Sequence, residues 1–201
     1  SEVYGTAGYV PIDEEHPLQA QSPYAATKTG ADQMARAFMV STGLPVATVR
    51  PFNAYGPRQS SRAVIPTIIT QALSGGQVRL GNLAPTRDFS FVLDTVDGFI
   101  KIAESPDAVG TVINIGTGSE VSIGDLASAI LRLTGSHATV VQDAQRVRPE
   151  GSEVLRLCAD NSKAHRVVGW EPQVSLEEGL AHTIEWVRSN LGQYKIGAYT
   201  T

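Results

Sequence analysis

Short β-rich runs alternate with helix-forming segments along most of this 201-residue chain. Strands are predicted at 46–50, 78–80, 88–92, 112–115 and 138–141, and helices at about 22–41, 63–74, 95–104, 123–134 and from 175 onward. This alternation is typical of an α/β fold with a parallel sheet. From about residue 57 the elements become shorter and more mixed, which predicts a second, smaller lobe.

The clearest helix start lies at Ser22, which is followed by Pro23. Serine is a preferred N-cap, and proline is favoured at the first helical position. This helix is expected to end before Gly43. Its apolar residues that are expected in the core are Met34, Ala35, Phe38 and Met39. Further helix caps are predicted at Asp94, Ser122 and Ser175.

Tyr24 and Lys28 lie four residues apart at the start of this helix. Four residues are about one turn, so both side chains leave the same face with roughly 6 Å of rise between them. A phenol has a pKa of about 10, and a neighbouring ammonium lowers that pKa. Tyr24 is therefore predicted to accept a proton from a substrate hydroxyl while Lys28 stays charged. The alternative is an ordinary amphipathic helix with a buried Tyr and a solvated Lys.

A polar loop is predicted directly after the strand at 46–50, with Asn53 near its centre. Ligands of open parallel sheets bind at the carboxyl ends of strands, so this loop and the start of the Tyr24 helix are expected to face one crevice. Asn53 is the candidate ligand contact because its amide both donates and accepts hydrogen bonds. A turn-forming role is the alternative for an Asn near Gly and Pro.

Composition excludes several classes of function. The chain is 42% apolar and 18% charged, with a formal charge of −4, so no general attraction to nucleic acid or to an anionic membrane is expected. Cys158 is its single cysteine, which rules out an internal disulfide. The four histidines lack metal-ligand spacing, so no metal site is predicted. No apolar run approaches the roughly 20 residues of a membrane span, and a cytoplasmic location is expected.

Four motifs occur in order: SEVYG at 1–5, SPYAATK at 22–28, RPFNAYGPR at 50–58, and RDF at 87–89 followed by Asp94. With them the chain resembles the extended short-chain dehydrogenase/reductase family of NAD-dependent epimerases and dehydratases, which act on nucleotide sugars. Segments 63–70 and 146–154 are especially similar to the group that dehydrates GDP-N-acetylglucosamine in legionaminic acid biosynthesis. The resemblance covers nearly the whole chain.

One family motif has no counterpart here, the G-x-x-G-x-x-G turn that receives the cofactor pyrophosphate. The resemblance therefore implies the C-terminal part of an enzyme. It implies an incomplete Rossmann-type parallel sheet, lacking its N-terminal βα units, with a smaller mixed α/β substrate-binding lobe. Val3 and Tyr4 are expected to end a strand. Residues 1–56 are assigned to the NAD-binding domain and 57–201 mainly to the substrate lobe, although later strands such as 88–115 can return to the first domain.

The resemblance also implies roles for the catalytic residues. Tyr24 deprotonates the sugar 4-hydroxyl as hydride passes to NAD, and Lys28 lowers the Tyr24 pKa and holds the nicotinamide ribose. Glu2 occupies the position of the carboxylate that removes the C5 proton in dehydratases. Ser1 stands where some dehydratases carry an acid for the C6 hydroxyl, so water or Glu2 would protonate that group here. NAD-binding residues are expected to be Tyr24, Lys28, Pro51 and Asn53.

The nucleotide-diphosphate sugar is expected to be bound by a further set of residues. These are Asn53, Arg62, Val78, Leu80, Arg87, Arg148 and Glu150. Arginines suit the diphosphate because they form charge-assisted hydrogen bonds with it. Two alternatives stay open: Arg87 could form only a structural ion pair with Asp88, and Glu150 could hold Arg148 rather than contact ribose.

A nucleotide-sugar 4,6-dehydratase is the leading hypothesis for the parent enzyme. A 4-epimerase and a UDP-glucuronate decarboxylase are the enzymatic alternatives, because Glu2 also fits the decarboxylase. An inactive substrate-binding fragment is the alternative of another class. The family resemblance further implies a homodimer, in which the Tyr24 helix contributes to a four-helix bundle between the two subunits.

Overall fold

Parallel strand pairs and flanking helices form the part of the chain described by this computed structural model, residues 1–194. The strands are β1 (Thr48–Pro51), β2 (Asn53–Tyr55), β3 (Gln77–Leu80), β4 (Thr86–Arg87), β5 (Phe89–Phe91), β6 (Val112–Ile115), β7 (Val121–Ser122) and β8 (Thr139–Gln142). The α-helices are α1 (Pro23–Thr42), α2 (Val64–Ser74), α3 (Val92–Glu104), α4 (Ile123–Thr134), α5 (Ser162–Val168) and α6 (Leu176–Ser189).

The extended chain from β1 to β2 changes its hydrogen-bonding partner at Phe52. β1 pairs with β6 and β2 pairs with β5, both in parallel. The amide of Phe52 donates to the carbonyl of Ile115, and the next amide, that of Asn53, donates to Asp88. β3 and β8 form a third parallel pair, and β4 and β7 an antiparallel one. These pairings confirm the α/β class with parallel strands that the alternating pattern predicted.

Helix α1 begins and ends as its sequence predicts. The Ser22 hydroxyl accepts a hydrogen bond from the Ala25 amide at 3.1 Å, and Pro23 occupies the first turn. The helix ends at Gly43 in the left-handed conformation. The core assignment of Met34 and Phe38 is wrong, since these side chains are 62% and 51% exposed. Helical spacing identifies an apolar face but not what covers it, and within residues 1–194 more than half of each of these two side chains stays uncovered.

Three apolar clusters hold the described chain together. The largest joins α2, α4 and α6 to the buried faces of β2, β3 and β5. A second packs Trp170 against Ile113 and Ile115 of β6. The third fastens the polar segment after Tyr4 to the chain around Leu157. Ile68 in the largest cluster, Trp170 in the second and Leu157 in the third are each fully buried, so every cluster has a side chain that is fully removed from water.

The carboxylate of Asp88 joins three separate segments in the interior. It accepts hydrogen bonds from the amides of Thr117 (2.8 Å), Gly118 (2.9 Å) and Ala159 (3.1 Å), and from the Thr117 hydroxyl (2.7 Å). Asp88 is fully buried. Burial raises the pKa of this carboxyl, while the hydrogen bonds act in the opposite direction. One side chain thereby fixes β5, the turn after β6 and the segment after residue 157.

A second buried network ties α1 to β1 and β6 through Arg50. Its Nε donates to Asp32 on α1 at 2.7 Å, and its Nη1 donates to the Tyr4 hydroxyl at 2.8 Å. Tyr4 in turn donates to Asn114 of β6 at 2.7 Å. The Asn114 amide N–H donates to the Glu14 carboxylate. The loop between residues 5 and 21 is therefore anchored by long-range polar contacts.

Three local assignments are corrected by the structure. Glu2–Tyr4 forms a short 3₁₀ turn rather than the end of a strand, because the amides of Tyr4 and Gly5 bond back to the carbonyls three residues earlier. Asn53 begins β2 instead of lying in a loop. Asp94 lies within the first turn of α3 and is no cap, since its carboxylate accepts from the distant amides of Gln173 and Val174.

Replacing Asp88 by Ala is expected to destabilise the fold by about 3 kcal/mol or more, because three buried amides lose their acceptor. Urea unfolding followed by circular dichroism measures this free energy. Asp97→Ala is the matched control, as Asp97 is half exposed and pairs only with Lys101 on the surface. That control is expected to change the free energy of unfolding by less than about 0.5 kcal/mol. Equal effects of the two variants would contradict the assigned role.

Candidate active site

A cleft of about 340 Å³ opens beside β2, β4 and the segment at 143–153; we call it the arginine cleft. Its charged and amide side chains come from Glu2, Asn53, Gln59, Arg62, Asn82, Arg87, Arg146, Arg148 and Glu153. Apolar walls are supplied by residues that include Val64, Leu80, Pro85, Phe89 and Ile123. The volume falls in the usual range of small-molecule sites, about 300–1,000 Å³.

A second cleft of about 460 Å³, the tyrosine cleft, lies between the start of α1 and the end of β1. Its lining includes Ser1, Glu2, Tyr24, Lys28, Pro51, Phe52 and Asn53. Glu2 and Asn53 line both clefts, so the two spaces adjoin at these side chains. A third space, beside the first turn of α1, is lined by Glu2, Tyr24 and Arg148 among others. The structure thus gathers nearly all of the residues selected from the sequence.

Tyr24 and Lys28 lie on one face of α1, as their spacing predicts. The Lys28 Nζ lies 5.5 Å from the centre of the Tyr24 ring, within the range of a cation–π contact. Tyr24 is 60% exposed and stands in the first helical turn, directly after the Ser22 cap. Both side chains line the tyrosine cleft.

Asn53 supplies a buried acceptor at the junction of the two clefts. Its backbone N–H donates a hydrogen bond to the backbone carbonyl of Asp88 at 3.0 Å, which fixes the start of β2. Its side-chain Oδ1 is buried without a hydrogen-bond partner among residues 1–194. A buried acceptor without a donor costs about 1–3 kcal/mol, and a ligand hydroxyl or amide can supply that donor. With Tyr24 and Lys28 alongside, this group fits the predicted NAD contact.

Arg87 is the most enclosed cation of the arginine cleft, with a side chain that is 9% exposed. Its Nη1 donates to the Thr86 carbonyl at 2.8 Å, and its Nη2 lies 3.7 Å from Glu153 Oε1. Burial lowers the pKa of Arg87, while the carboxylates of Glu2 and Glu153 oppose that shift. The alternative of an ion pair with Asp88 is wrong, because the Asp88 carboxylate binds Thr117, Gly118 and Ala159 instead.

The arginine cleft carries more positive than negative charge. Among its described lining residues, four arginines stand against two glutamates. Arg62 and Arg148 were selected from the sequence, whereas Arg146, Gln59 and Glu153 were not given a role in the site. The segment at 146–153 shows a cluster of charges in sequence, but only the folded chain brings that cluster to Arg87.

Val78 and Glu150 differ from the other predicted substrate contacts. Val78 is fully buried in the core under α2, and it lines neither cleft, whereas its neighbour in the same strand, Leu80, lines the arginine cleft. The side chain of Glu150 lies outside the described part of the structure, so its contact with ribose or Arg148 stays a prediction.

Residues 1–194 contain neither a metal-binding cluster nor a membrane-spanning helix. No group of three or more His, Cys, Asp or Glu side chains there is arranged to hold a metal ion. No helix within the same residues has the length and apolar character that crossing a membrane requires.

The profile of a known protein family, GDP-mannose 4,6 dehydratase, matches residues 1–183. The chain belongs to this family. Its curated relatives include a UDP-glucose 4-epimerase from Mycolicibacterium smegmatis, 35% identical over 93% of this chain and 59% of the relative. They also include a dTDP-glucose 4,6-dehydratase from Streptomyces griseus, 35% identical over 92% of this chain and 56% of the relative. The chain therefore spans somewhat more than half the length of these relatives.

Solved structures of the same kind superimpose closely. A dTDP-glucose 4,6-dehydratase from Streptomyces venezuelae, determined with NAD bound, matches with a TM-score of 0.88 at 34% identity. The match covers 96% of this chain and 59% of that one. A UDP-glucuronic acid 4-epimerase from Bacillus cereus, determined with UDP-glucuronic acid and NAD, matches with a TM-score of 0.87 at 28% identity over 94% and 60% of the two chains. Dehydratases and epimerases of this family thus share the fold of this chain.

Arg87→Gln is expected to weaken binding of inorganic pyrophosphate by about tenfold, because an enclosed guanidinium forms strong charge-assisted hydrogen bonds with phosphate oxygens. Calorimetric titration of the full-length protein measures the affinity. Arg132→Gln is the matched control, since Arg132 is 64% exposed on α4 and is no part of the described cleft lining. Identical affinities of wild type and Arg87→Gln, with melting temperature unchanged, would contradict an anion site at Arg87.

Proposed function

We propose that this chain is part of an NAD-dependent nucleotide-sugar 4,6-dehydratase. The observation that carries the proposal is the position of Glu2, which lines the tyrosine cleft together with Tyr24 and Lys28 and the arginine cleft together with Arg87. A sugar that reaches from one cleft to the other would pass this carboxylate. The predicted base for C5 therefore adjoins both the proton-transfer pair and the anion-binding arginines.

Proton transfer at the sugar 4-hydroxyl is assigned to Tyr24. Its phenolate accepts the hydroxyl proton, and Lys28 stabilises the phenolate by its charge. NAD, when bound, supplies a reversible hydride acceptor that takes hydrogen from C4 and returns it to C6. Tyr24, Lys28, Pro51 and Asn53 line the space in which these residues would hold the nicotinamide end of NAD.

Loss of water across C5 and C6 is assigned to Glu2. A ketone at C4 acidifies the hydrogen on C5, and the Glu2 carboxylate removes it as a proton. The C6 hydroxyl then departs as water after it receives a proton from Glu2 or from a solvent molecule, since Ser1 offers no acid at this place. One carboxylate can thus take the proton from C5 and return it to the leaving oxygen.

The substrate class follows from the arginine cleft. A nucleotide-sugar diphosphate carries two negative charges, and the described lining has two more arginines than glutamates. Leu80 and the apolar wall suit the nucleobase and ribose, with Arg62, Arg87 and Arg148 on the diphosphate. As the finer assignment we propose GDP-N-acetylglucosamine, on the resemblance of segments 63–70 and 146–154 to the dehydratases of legionaminic acid biosynthesis.

A 4-epimerase is the second candidate, because the M. smegmatis relative named as a UDP-glucose 4-epimerase is as similar in sequence as the S. griseus dehydratase. An epimerase needs the Tyr24–Lys28 pair but no base at C5. Glu2 is the residue that separates the two reactions in our proposal. A UDP-glucuronate decarboxylase would also carry Glu2, but neither the family profile nor the two relatives described above bears that name.

Assembly and location complete the proposal. We assign residues 1–56, with strands that return from 88–115, to the NAD-binding domain and the rest mainly to the substrate lobe. A homodimer through α1 is supported by the exposed Met34 and Phe38 on that helix, since apolar patches of this kind mark interaction surfaces. A cytoplasmic location belongs to the same proposal.

Incubation of the full-length protein with NAD and GDP-N-acetylglucosamine is expected to give a 4-keto-6-deoxy product, detected by its ultraviolet absorbance in base and by mass spectrometry as the loss of one water. Glu2→Gln is expected to lower this rate by at least about 100-fold, because general-base catalysis contributes roughly 10²–10⁴-fold. Glu104→Gln, a surface change at the end of α3, is the control. An epimer as the sole product would refute the dehydratase and favour the second candidate.

The isolated chain of residues 1–201 is expected not to bind NAD with micromolar affinity, because its sequence holds no G-x-x-G-x-x-G turn for the cofactor pyrophosphate. Calorimetric titration with NAD checks this, and circular dichroism shows that the chain is folded. A folded chain with micromolar affinity for NAD would contradict the expectation.

A further inference from the structure

Glu153 lies against Arg87 at the inner side of the arginine cleft. Its Oε1 is 3.7 Å from Arg87 Nη2, and the two side chains are only 13% and 9% exposed. Both residues line the cleft, together with Glu2. Two carboxylates therefore share the neighbourhood of one enclosed guanidinium.

The backbone that carries Glu153 is fixed by contacts from another segment. The Thr6 hydroxyl donates to the Glu153 carbonyl at 3.2 Å and accepts from the Leu155 amide at 3.1 Å. The next side chain, Val154, is 2% exposed in an apolar cluster. The backbone at Glu153 is thus fixed by hydrogen bonds and by the burial of Val154, which limits where the Glu153 carboxylate can lie.

The orientation of Arg87 depends on which carboxylate its guanidinium approaches. Nη1 donates to the Thr86 carbonyl, and Nη2 lies 3.7 Å from Glu153 Oε1, at ion-pair distance but too far for a hydrogen bond. Glu2 lines the same cleft. Burial lowers the pKa of Arg87, and the Glu2 carboxylate raises that pKa at least as much as the carboxylate of Glu153 does, while Arg148 acts with the opposite sign. An unpaired buried charge is unfavourable. If Glu153 were removed, the Arg87 guanidinium would therefore be expected to pair with the carboxylate of Glu2.

We propose that Glu153 is a positioning residue, which directs Arg87 toward the substrate diphosphate and keeps it from closing an ion pair on Glu2. This inference rests on the proposed function, and it adds that the anion site and the C5 base are kept separate by a third residue. Loss of Glu153 then has two consequences at once. The diphosphate is bound less tightly, and Glu2 is engaged by Arg87 when it is needed as a base.

The first test uses binding alone. Calorimetric titration of the full-length protein with UDP, GDP and dTDP is expected to show about tenfold weaker binding in Glu153→Gln for whichever nucleotide the wild type binds. In the Arg87→Gln background, Glu153→Gln is expected to cause no further loss, because its effect passes through Arg87. Glu185→Gln is the matched control, as Glu185 forms an exposed ion pair with Arg188 at 3.5 Å.

The second test uses turnover. Glu153→Gln is expected to raise KM and to lower kcat, while Glu153→Asp, which keeps the charge, recovers most of both at an unchanged melting temperature. If Glu153 had only a structural role, Glu153→Gln would lower the melting temperature, and Glu153→Asp would not restore activity by keeping the charge. Independent losses from Glu153→Gln and Arg87→Gln, or unaltered binding in Glu153→Gln, would overturn the inference.

The outcomes also separate this inference from the proposed function. Nucleotide binding that depends on Glu153 through Arg87, without any 4-keto-6-deoxy product, would support the positioning role and refute the dehydratase. A 4-keto-6-deoxy product made equally well by wild type and Glu153→Gln would support the dehydratase and refute the positioning role. A wild type that binds none of the three nucleotides would refute both.

Discussion

The buried carboxylate of Asp88 is the interaction on which the described structure depends most. An isolated carboxylate in an apolar interior is strongly unfavourable, so it persists only where donors surround it. Here Thr117, Gly118 and Ala159 provide them. Because the backbone carbonyl of the same residue holds the Asn53 amide, the donors around Asp88 also fix the start of β2 and with it the junction of the two clefts.

Arg87 and Asp88 are neighbours in the chain, but one lines the candidate site and the other is buried in the core. Successive side chains of an extended chain point to opposite sides, so Asp88 is directed into the core while Arg87 lines the arginine cleft. The change of partner at Phe52 then places Asn53 between that cleft and the tyrosine cleft. The candidate site is thus built where two strand pairs meet, not on one continuous sheet.

Local features were predictable from sequence because their causes are local. The caps at Ser22, Ser122 and Ser175 each accept from the amide three residues on, and the helices begin beside them. Tyr24 and Lys28 share a face because helical geometry requires it. The prediction of Asp94 as a cap was wrong because its carboxylate accepts hydrogen bonds from backbone amides about 80 residues away in sequence. Arg146 and Glu153 were missed as site residues for the same reason, since only tertiary contacts bring them into the cleft.

The ion pair between Arg50 and Asp32 has a consequence for the direction of Tyr24 and Lys28, the pair that we propose for proton transfer. Asp32 lies one turn beyond Lys28 on α1 and two turns beyond Tyr24, on the same face. Arg50 binds Asp32 at 2.7 Å and also donates to the Tyr4 hydroxyl, which donates to Asn114. These bonds therefore set the rotation of the helix about its own axis. A rotation by one residue, about 100°, would break this bond and turn the phenol and the ammonium away from β1 together. The angular setting of the proposed proton-transfer pair is thus fixed by a contact to which neither Tyr24 nor Lys28 contributes.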